Sequence, residues 1–290
     1  MALHQASQLS YDSIINSILL LYIAIIIRTI VMHEKVKWID VSALVIMISI
    51  ISYLKPVYFV HVLLLLAIPS DLFGGFYKKL IKTGCAFGGG ICFYKLVNLT
   101  NKYSLINVVA NSNRPIATLG EIESNINNAY YSLSIIYSQP LEYFKIMFRT
   151  LKTQSWSYIL QANGLRLAGW TVIIDDYLII IYISLLILVS VSKCVDDQNS
   201  LKVIEQRIFI IVAIIEFMTV TTAGFLMTTY GKSTLGGLQG RYYIPCLIMF
   251  LIGIKNIPNC IYAEKKWHIF LICCIYIGIV FSVMYQIVYR

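Results

Sequence analysis

A glycine-rich turn that leads into an arginine is the part of this sequence best suited to binding an anion. Two glycines precede the segment Leu238–Pro245, which reads LQGRYYIP. The candidate phosphate-binding residues in it are Gln239, Gly240, Arg241 and Tyr242. Glycines allow backbone N–H groups to converge on an anion, and a guanidinium offers a planar pair of donors. The alternative is a flexible turn whose Arg and Tyr side chains anchor the chain at a membrane surface.

Three carboxylates precede apolar stretches and are candidates for acid and base chemistry. Asp175 and Asp176 are adjacent, and Asp12 lies before another apolar stretch. Neighbouring carboxylates can share a proton, act as a base or bind a metal. Solvated surface charges, with Asp12 as a helix cap, are the simpler interpretation. The predicted catalytic candidates are therefore Asp12, Asp175 and Asp176.

Two further ionisable residues lie inside apolar stretches. Glu216 is nine residues into the stretch that starts at Arg207, and His61 stands between two valines. An ionised side chain inside a membrane is costly and often marks a pathway or a buried pair. The alternative for both residues is a structural hydrogen bond to a neighbouring helix.

Metal and disulfide chemistry is not indicated by the remaining residues. The four histidines are scattered, and the seven cysteines include no Cys-x-x-Cys pair. Neither pattern fits a zinc site or a disulfide framework. We predict no cofactor and no metal site, and the question of a divalent metal stays open for the carboxylates.

The elements that position these residues follow from the composition. Of 290 residues, 59% are hydrophobic and only 13% charged, and the mean hydropathy is +0.76. Soluble domains carry about 25% charged residues, so we predict an all-α, polytopic helical membrane protein. About eight membrane segments are predicted, at about Ser13–Met32, Ile39–Leu54, Val57–Pro69, Leu80–Val97, Tyr177–Val191, Ile208–Met227, Tyr243–Ile254 and Trp267–Tyr289.

The basic residues predict the orientation of these segments. If Lys55 and Pro56 form the turn of a short hairpin, 12 basic residues lie on one face and 4 in the short segments of the other. A kinked single span would weaken this asymmetry. Since basic loops remain cytoplasmic, we predict that Lys55 and the loop at 99–176 are outside. The net charge of +9 thus reflects orientation, and no nucleic-acid partner is predicted.

The outer loop at 99–176 is the only large polar stretch. Leu119–Ser138 and Pro140–Leu160 are predicted helices, the second with Ser138 as N-cap. Leu141, Phe144 and Phe148 share one face of it, which is typical of a helix lying in the headgroup layer. An ordinary amphipathic helix that caps the bundle is the alternative.

These segments together resemble the uncharacterised bacterial membrane family catalogued as domain of unknown function 2142. The resemblance is carried, in order, by Ser10–Asp12, Lys55–Tyr58, Gln139–Pro140, Gly169–Trp170 with Asp175–Asp176, and Leu238–Pro245. Family members are usually longer, with a further amino-terminal membrane region and a first outer loop, and the resemblance implies that this sequence is truncated and lacks that part. That region would contain the acidic base of the C-type glycosyltransferases that the family is similar to.

The resemblance implies a function in cell-envelope polysaccharide or glycolipid assembly. The expected partners are a polyprenyl-phosphate-linked sugar, a glycan or lipid acceptor, and the lipids of a bacterial plasma membrane. A transporter or flippase of lipid-linked sugars is the alternative, and an inactive fragment or scaffold is a third possibility. The expected regions are membrane segments at 1–98 with the hairpin at 39–69, the outer loop at 99–176, and membrane segments at 177–290.

Overall fold

The fold is almost wholly helical in a computed structural model of the chain. It describes residues 11–103, 130–162, 166–167, 172–173, 176–194, 201–255 and 262–263, with separate helical residues between 267 and 285. Side chains are described from residue 14 onwards within the first range and up to residue 96. The all-α class predicted from the composition is therefore confirmed.

The chain forms eight α-helices and two 3₁₀ helices within these ranges. They are α1 (Tyr11–Val31), α2 (Trp38–Leu54), a first 3₁₀ helix (Pro56–Ala67), α3 (Phe76–Tyr103), α4 (Leu133–Ser138), α5 (Pro140–Ala162), α6 (Asp176–Val191), α7 (Val203–Leu226), a second 3₁₀ helix (Gly240–Tyr243) and α8 (Ile244–Gly253). Four two-residue strands form an antiparallel pair, β1 (Arg166–Leu167) with β2 (Val172–Ile173), and a parallel pair, β3 (Lys193–Cys194) with β4 (Tyr262–Ala263).

Two of these helices are long and apolar enough to cross a membrane. They are α1, over Ile14–Val31, and α7, over Val203–Leu226. Four shorter apolar helical stretches accompany them, at Trp38–Leu54, Pro56–Ala67, Asp176–Val191 and Gly240–Gly253. The existence of eight spans therefore remains a prediction.

The chain reverses direction at Lys55 and Pro56. Val36, just before α2, donates its N–H to the carbonyl of Leu72 over 2.9 Å, so the start of α2 lies beside the end of the first 3₁₀ helix. Lys82 of α3 adds a 2.6 Å hydrogen bond from Nζ to the carbonyl of Val36. The turn at Lys55 therefore lies at the opposite end of this hairpin from the residues near Val36.

The first 3₁₀ helix runs antiparallel to α7. Thr219 of α7 lies against the carbonyl of Val57, and Glu216, one turn earlier, lies against His61. The start of α7 is therefore at the same end as Val36. Its basic neighbours include Lys202 and Lys255, and the Gln206 side chain donates to the carbonyl of Lys255. We call the end of the bundle that contains Val36 and the start of α7 the basic end. The opposite end, which contains Lys55, is called the motif end.

The core lies where α1, α2, the first 3₁₀ helix, α7 and α8 meet. Its largest fully buried side chains include Tyr22, Tyr58 and Phe209. A second, smaller cluster joins α4 and α5 to the end of α7 through Tyr143 and Phe225. Burial of a side chain of this size contributes roughly 1.5–3 kcal/mol, so both clusters fix the helices that carry the polar residues.

The loop helices differ in part from the prediction. Pro140–Leu160 forms a helix, α5, that continues to Ala162. The N-cap prediction for Ser138 is wrong, because Ser138 ends α4 and donates its hydroxyl to Ile135, while the carbonyl of Gln139 accepts the first N–H groups of α5. Of the predicted helix Leu119–Ser138, residues 119–129 lie outside the described residues, and the described part is helical over Leu133–Ser138.

Candidate functional site

Two cationic side chains lie close to one aromatic ring at the motif end. The Nζ atom of Lys55 lies 4.0 Å from the ring centroid of Tyr242, and the guanidinium carbon of Arg241 lies 5.6 Å from it. Because both distances are measured to the same ring centroid, the two charged groups cannot be farther apart than the two distances added together. Both residues are half-buried, so the hairpin turn and the segment Leu238–Pro245 together concentrate positive charge at one place.

Tyr58 connects these two parts of the chain. Its fully buried hydroxyl donates to the carbonyl of Tyr242 over 3.0 Å. Since Tyr58 belongs to the first turn of the 3₁₀ helix, this bond fixes the hairpin turn against the segment that carries Arg241. The sequence pattern did not predict it, because the two residues are far apart in the chain and either tyrosine could have faced lipid.

The glycines before Arg241 have a packing role that the sequence did not predict. Gly240 donates its N–H to Oε1 of Gln161 over 3.0 Å, and a Cβ atom at Gly240 would lie 2.1 Å from the carbonyl oxygen of Tyr158. Gly236 donates its N–H to Oγ1 of Thr228. These two N–H groups therefore attach the segment to α5 and to the end of α7, and neither points at an open anion site.

Gln239 and the turn before it also serve to dock the segment. The carbonyl of Gln239 accepts the N–H of Tyr242 over 3.0 Å, which closes the second 3₁₀ helix. Leu235 donates its N–H to the buried Oγ1 of Thr150 in α5. Tyr131, whose pKa is raised by burial, contacts the same turn through the N–H of Gly231 and the carbonyl of Lys232.

An apolar groove of about 410 Å³ opens beside the motif segment. It lies between α5, α7 and α8, and its walls include Tyr158, Phe217, Tyr243 and Phe250. Tyr243 in its wall follows Tyr242 in the chain, whereas Lys55, Arg241 and Tyr242 are not among the residues that line the groove. Its exposed members, such as Ile214 and Phe250, show that it is open at the side of the bundle.

The two intramembrane candidates form a buried pair. Oε2 of Glu216 and Nε2 of His61 are 3.6 Å apart, and both side chains have no exposed surface. Nδ1 of His61 lies 2.9 Å from the carbonyl of Tyr58. Cys246 of α8 packs on the face of α7 that carries Glu216. It donates its thiol to the carbonyl of Ala213.

Of the three acidic candidates, Asp176 is the one with a described side chain. Asp176 is exposed in the first turn of α6. Asp12 lies in the first turn of α1, and its side chain is outside the described set, as are Asp175 and the whole of Gly169–Trp170. Among the described residues, no group of three His, Cys, Asp or Glu side chains is close enough to hold a metal ion.

The fold is helical, and two of its helices are long and apolar enough to cross a membrane. The family described as a predicted membrane protein, domain of unknown function 2142, matches residues 1–251. The chain belongs to this family, as the motifs in the sequence predicted. Comparison with curated proteins and with solved structures gives no match.

Proposed function

We propose that this chain is a multi-pass protein of the bacterial plasma membrane that binds a polyprenyl-phosphate-linked sugar at its motif end. The observation that carries the proposal is the position of Lys55 and Arg241 around the ring of Tyr242, together with an apolar groove whose wall includes the next residue, Tyr243. A lipid phosphate joins an anionic head to a long apolar chain. Its site therefore needs cations next to a groove of this kind.

The reaction implied is glycosyl transfer in polysaccharide or glycolipid assembly. The hydroxyl of a glycan or lipid acceptor attacks the sugar carbon attached to the phosphate. The bond from that carbon to the phosphate oxygen breaks, and the phosphate leaves with the bonding electrons. Arg241 and Lys55 stabilise the charge that develops on it.

A carboxylate takes the proton from the acceptor hydroxyl in this scheme. Asp176 is the candidate with a described, exposed side chain, and Asp12 and Asp175 are the other two. Gln239, Gly240 and Tyr242 act on the phosphate indirectly, since they hold Arg241 in place through the contacts of the motif segment.

Binding measurements with Arg241 variants test the proposal. A guanidinium contacts a phosphate through two donors, whereas a lysine ammonium is a point charge. We expect Arg241→Lys to weaken binding of polyprenyl-phosphate glucose by about tenfold, or about 1.4 kcal/mol, and Arg241→Ala to weaken it further. The full chain in detergent micelles is titrated with this lipid, and Kd is compared.

Lys232→Ala is the matched control, because Lys232 is an exposed cation at the same end of the bundle. Its Kd should equal that of the wild type. Polyprenol without phosphate and glucose 1-phosphate without the chain should both bind more weakly than the whole lipid. Equal affinity of wild type, Arg241→Lys and Arg241→Ala would contradict the phosphate role, since a lysine anchors at a membrane interface as well as an arginine does.

A second function, transport or flipping of a lipid-linked sugar, is favoured by the contact between Glu216 and His61 inside the bundle. Ionisable pairs at membrane depth are common in transporters that use a proton. Vesicles that contain the protein separate the two functions. A glycosyltransferase yields a glycosylated acceptor, whereas a flippase moves the unchanged lipid from one leaflet to the other.

A further inference from the structure

Glu216 and His61 lie in the buried interior, where few polar groups of the described residues surround them. Both side chains are fully buried, and neither carboxyl oxygen of Glu216 has a hydrogen-bond partner among the described residues. Their 3.6 Å separation is longer than a hydrogen bond. A shift of less than about 1 Å would bring the two atoms within hydrogen-bond distance.

The proton positions follow from the partners of the imidazole ring. A carbonyl oxygen only accepts, so Nδ1 of His61 carries the hydrogen that it donates to Tyr58. In a neutral ring the lone pair is then on Nε2, which is the atom that faces Glu216. The ring is therefore oriented to accept a proton from the carboxyl group.

The surroundings favour a neutral pair over an ion pair. Removing two charges from water costs several kcal/mol each unless further hydrogen bonds compensate, and the carboxylate has none among the described residues. Buried or half-buried titratable side chains on the packed elements include Tyr58, Cys246 and Tyr243, with Tyr22 buried in α1, while Arg28 and Arg207 lie near the helix ends. None of these four buried or half-buried side chains is a cation.

We propose that Glu216 and His61 form an intramembrane proton-binding site, which holds one proton on the carboxyl group and shares it with Nε2 of His61. The site goes beyond the proposed function, because it requires neither glycosyl transfer nor transport. It is linked to the motif end by Tyr58, whose carbonyl accepts from His61 and whose hydroxyl donates to Tyr242.

Infrared spectroscopy of the purified full chain tests the protonation state directly. A protonated carboxyl group absorbs at a frequency that carboxylates do not share. We expect such a band in the wild type near neutral pH and its loss in Glu216→Gln. Glu205→Gln is the matched control on the same helix, because Glu205 is also buried and accepts the N–H of Lys202 at the start of α7. The band should persist in that variant.

Substitution of the histidine gives a second measurement that does not depend on the Glu216 variant. In His61→Asn the carboxyl group loses its acceptor on the ring, so the band should remain and shift in frequency. The band should stay unshifted in Tyr58→Phe, because only the hydroxyl that reaches Tyr242 is removed. A Glu216 that is ionised throughout the range from about pH 5 to about pH 8 would overturn the proposal.

The pH dependence of the melting temperature gives an independent test of the proton-binding site. In the unfolded chain Glu216 releases its proton above about pH 4.3 and His61 above about pH 6.5. The folded pair keeps one proton, so the melting temperature of the wild type relative to Glu216→Gln should fall as the pH rises from about 5 to about 8. Relative to His61→Asn, the wild type should gain stability up to about pH 6.5. A constant difference between wild type and Glu216→Gln would contradict the site.

Discussion

At the scale of single residues, Gly240 allows the motif segment to pack directly against the backbone of α5 because it has no side chain. Its backbone contacts Tyr158 and Gln161 of α5 so closely that no Cβ atom fits. Because Arg241 is the next residue, the position of the guanidinium depends on this contact. The candidate phosphate site is therefore held from two sides, by α5 at Gly240 and by Tyr58 at the carbonyl of Tyr242.

Gly240→Ala should disturb the docking of the motif segment on α5. A Cβ atom 2.1 Å from a backbone oxygen forces α5 or the second 3₁₀ helix to move, and overpacking of this kind costs about 1–3 kcal/mol. We expect a lower melting temperature and weaker binding of polyprenyl-phosphate glucose. Gly84→Ala in α3 is the control, because open space surrounds its Cβ position. A Gly240→Ala protein with unchanged melting temperature would contradict this packing role.

Residue types could be predicted from the sequence better than their partners. Glu216 and His61 were predicted as intramembrane polar residues because charge is rare there. Their contact was not predictable, since it depends on how the first 3₁₀ helix and α7 align. Lys55 was predicted only as a turn residue, although the Lys-Pro pair gave a signal for that turn. The role of Gly240 was missed because a glycine in a sequence does not distinguish flexibility from close packing.

At the scale of elements, Lys79 closes the first 3₁₀ helix at its basic end. Its Nζ atom donates to the carbonyls of Leu66 over 2.8 Å and of Ile68 over 2.7 Å. Carbonyls at a helix C-terminus have no partner within the helix, and a cation satisfies them well. Lys79 lies just before the predicted span Leu80–Val97. Its pKa is lowered by burial.

Lys79→Ala should therefore loosen the end of the hairpin. Loss of charge-assisted hydrogen bonds to two carbonyls costs about 1–2 kcal/mol, and we expect a lower melting temperature in detergent. Lys78→Ala is the matched control, because Lys78 is an exposed lysine in the same turn of α3. If both variants have the same melting temperature, the two hydrogen bonds of Lys79 make no measurable contribution to stability.

Element boundaries were predictable where a long apolar run fixed them. The prediction Ser13–Met32 lies close to α1, and Ile39–Leu54 lies close to α2. The segment Val57–Pro69 was predicted as an ordinary α-helix, because an apolar run does not reveal its hydrogen-bond pattern. The glycines of α3 illustrate the same limit: Gly84 and Gly88 fit a small-residue packing pattern, yet Gly89 and Gly90 make the close contacts.

At the scale of the whole molecule, different parts of the chain form the two ends of the bundle. The basic end joins the loops near Val36 and Leu72 to the start of α7 and to Lys255. The motif end contains Lys55, Arg241 and the docked helix α5. Basic residues lie at both ends, so the orientation in the membrane remains a prediction that depends on the count of basic residues in the sequence.

Cysteine labelling tests this orientation. In a variant without the seven native cysteines, Ser134→Cys in the exposed part of α4 should react with an impermeant maleimide added to intact cells. Lys78→Cys at the basic end should react only after the cells are permeabilised. The reverse pattern would show that the predicted orientation is wrong.

The first 3₁₀ helix restricts how this protein can change in evolution. Tyr58, His61, Leu64 and Ala67 are buried at every third position, which is the repeat of a 3₁₀ helix. One inserted or deleted residue turns the rest of the helix by about 120°. It would separate the positions of Tyr58 and His61 along the buried face. Homologues should therefore vary in sequence at the half-exposed positions 60, 63 and 66 while the number of residues between Tyr58 and His61 stays constant.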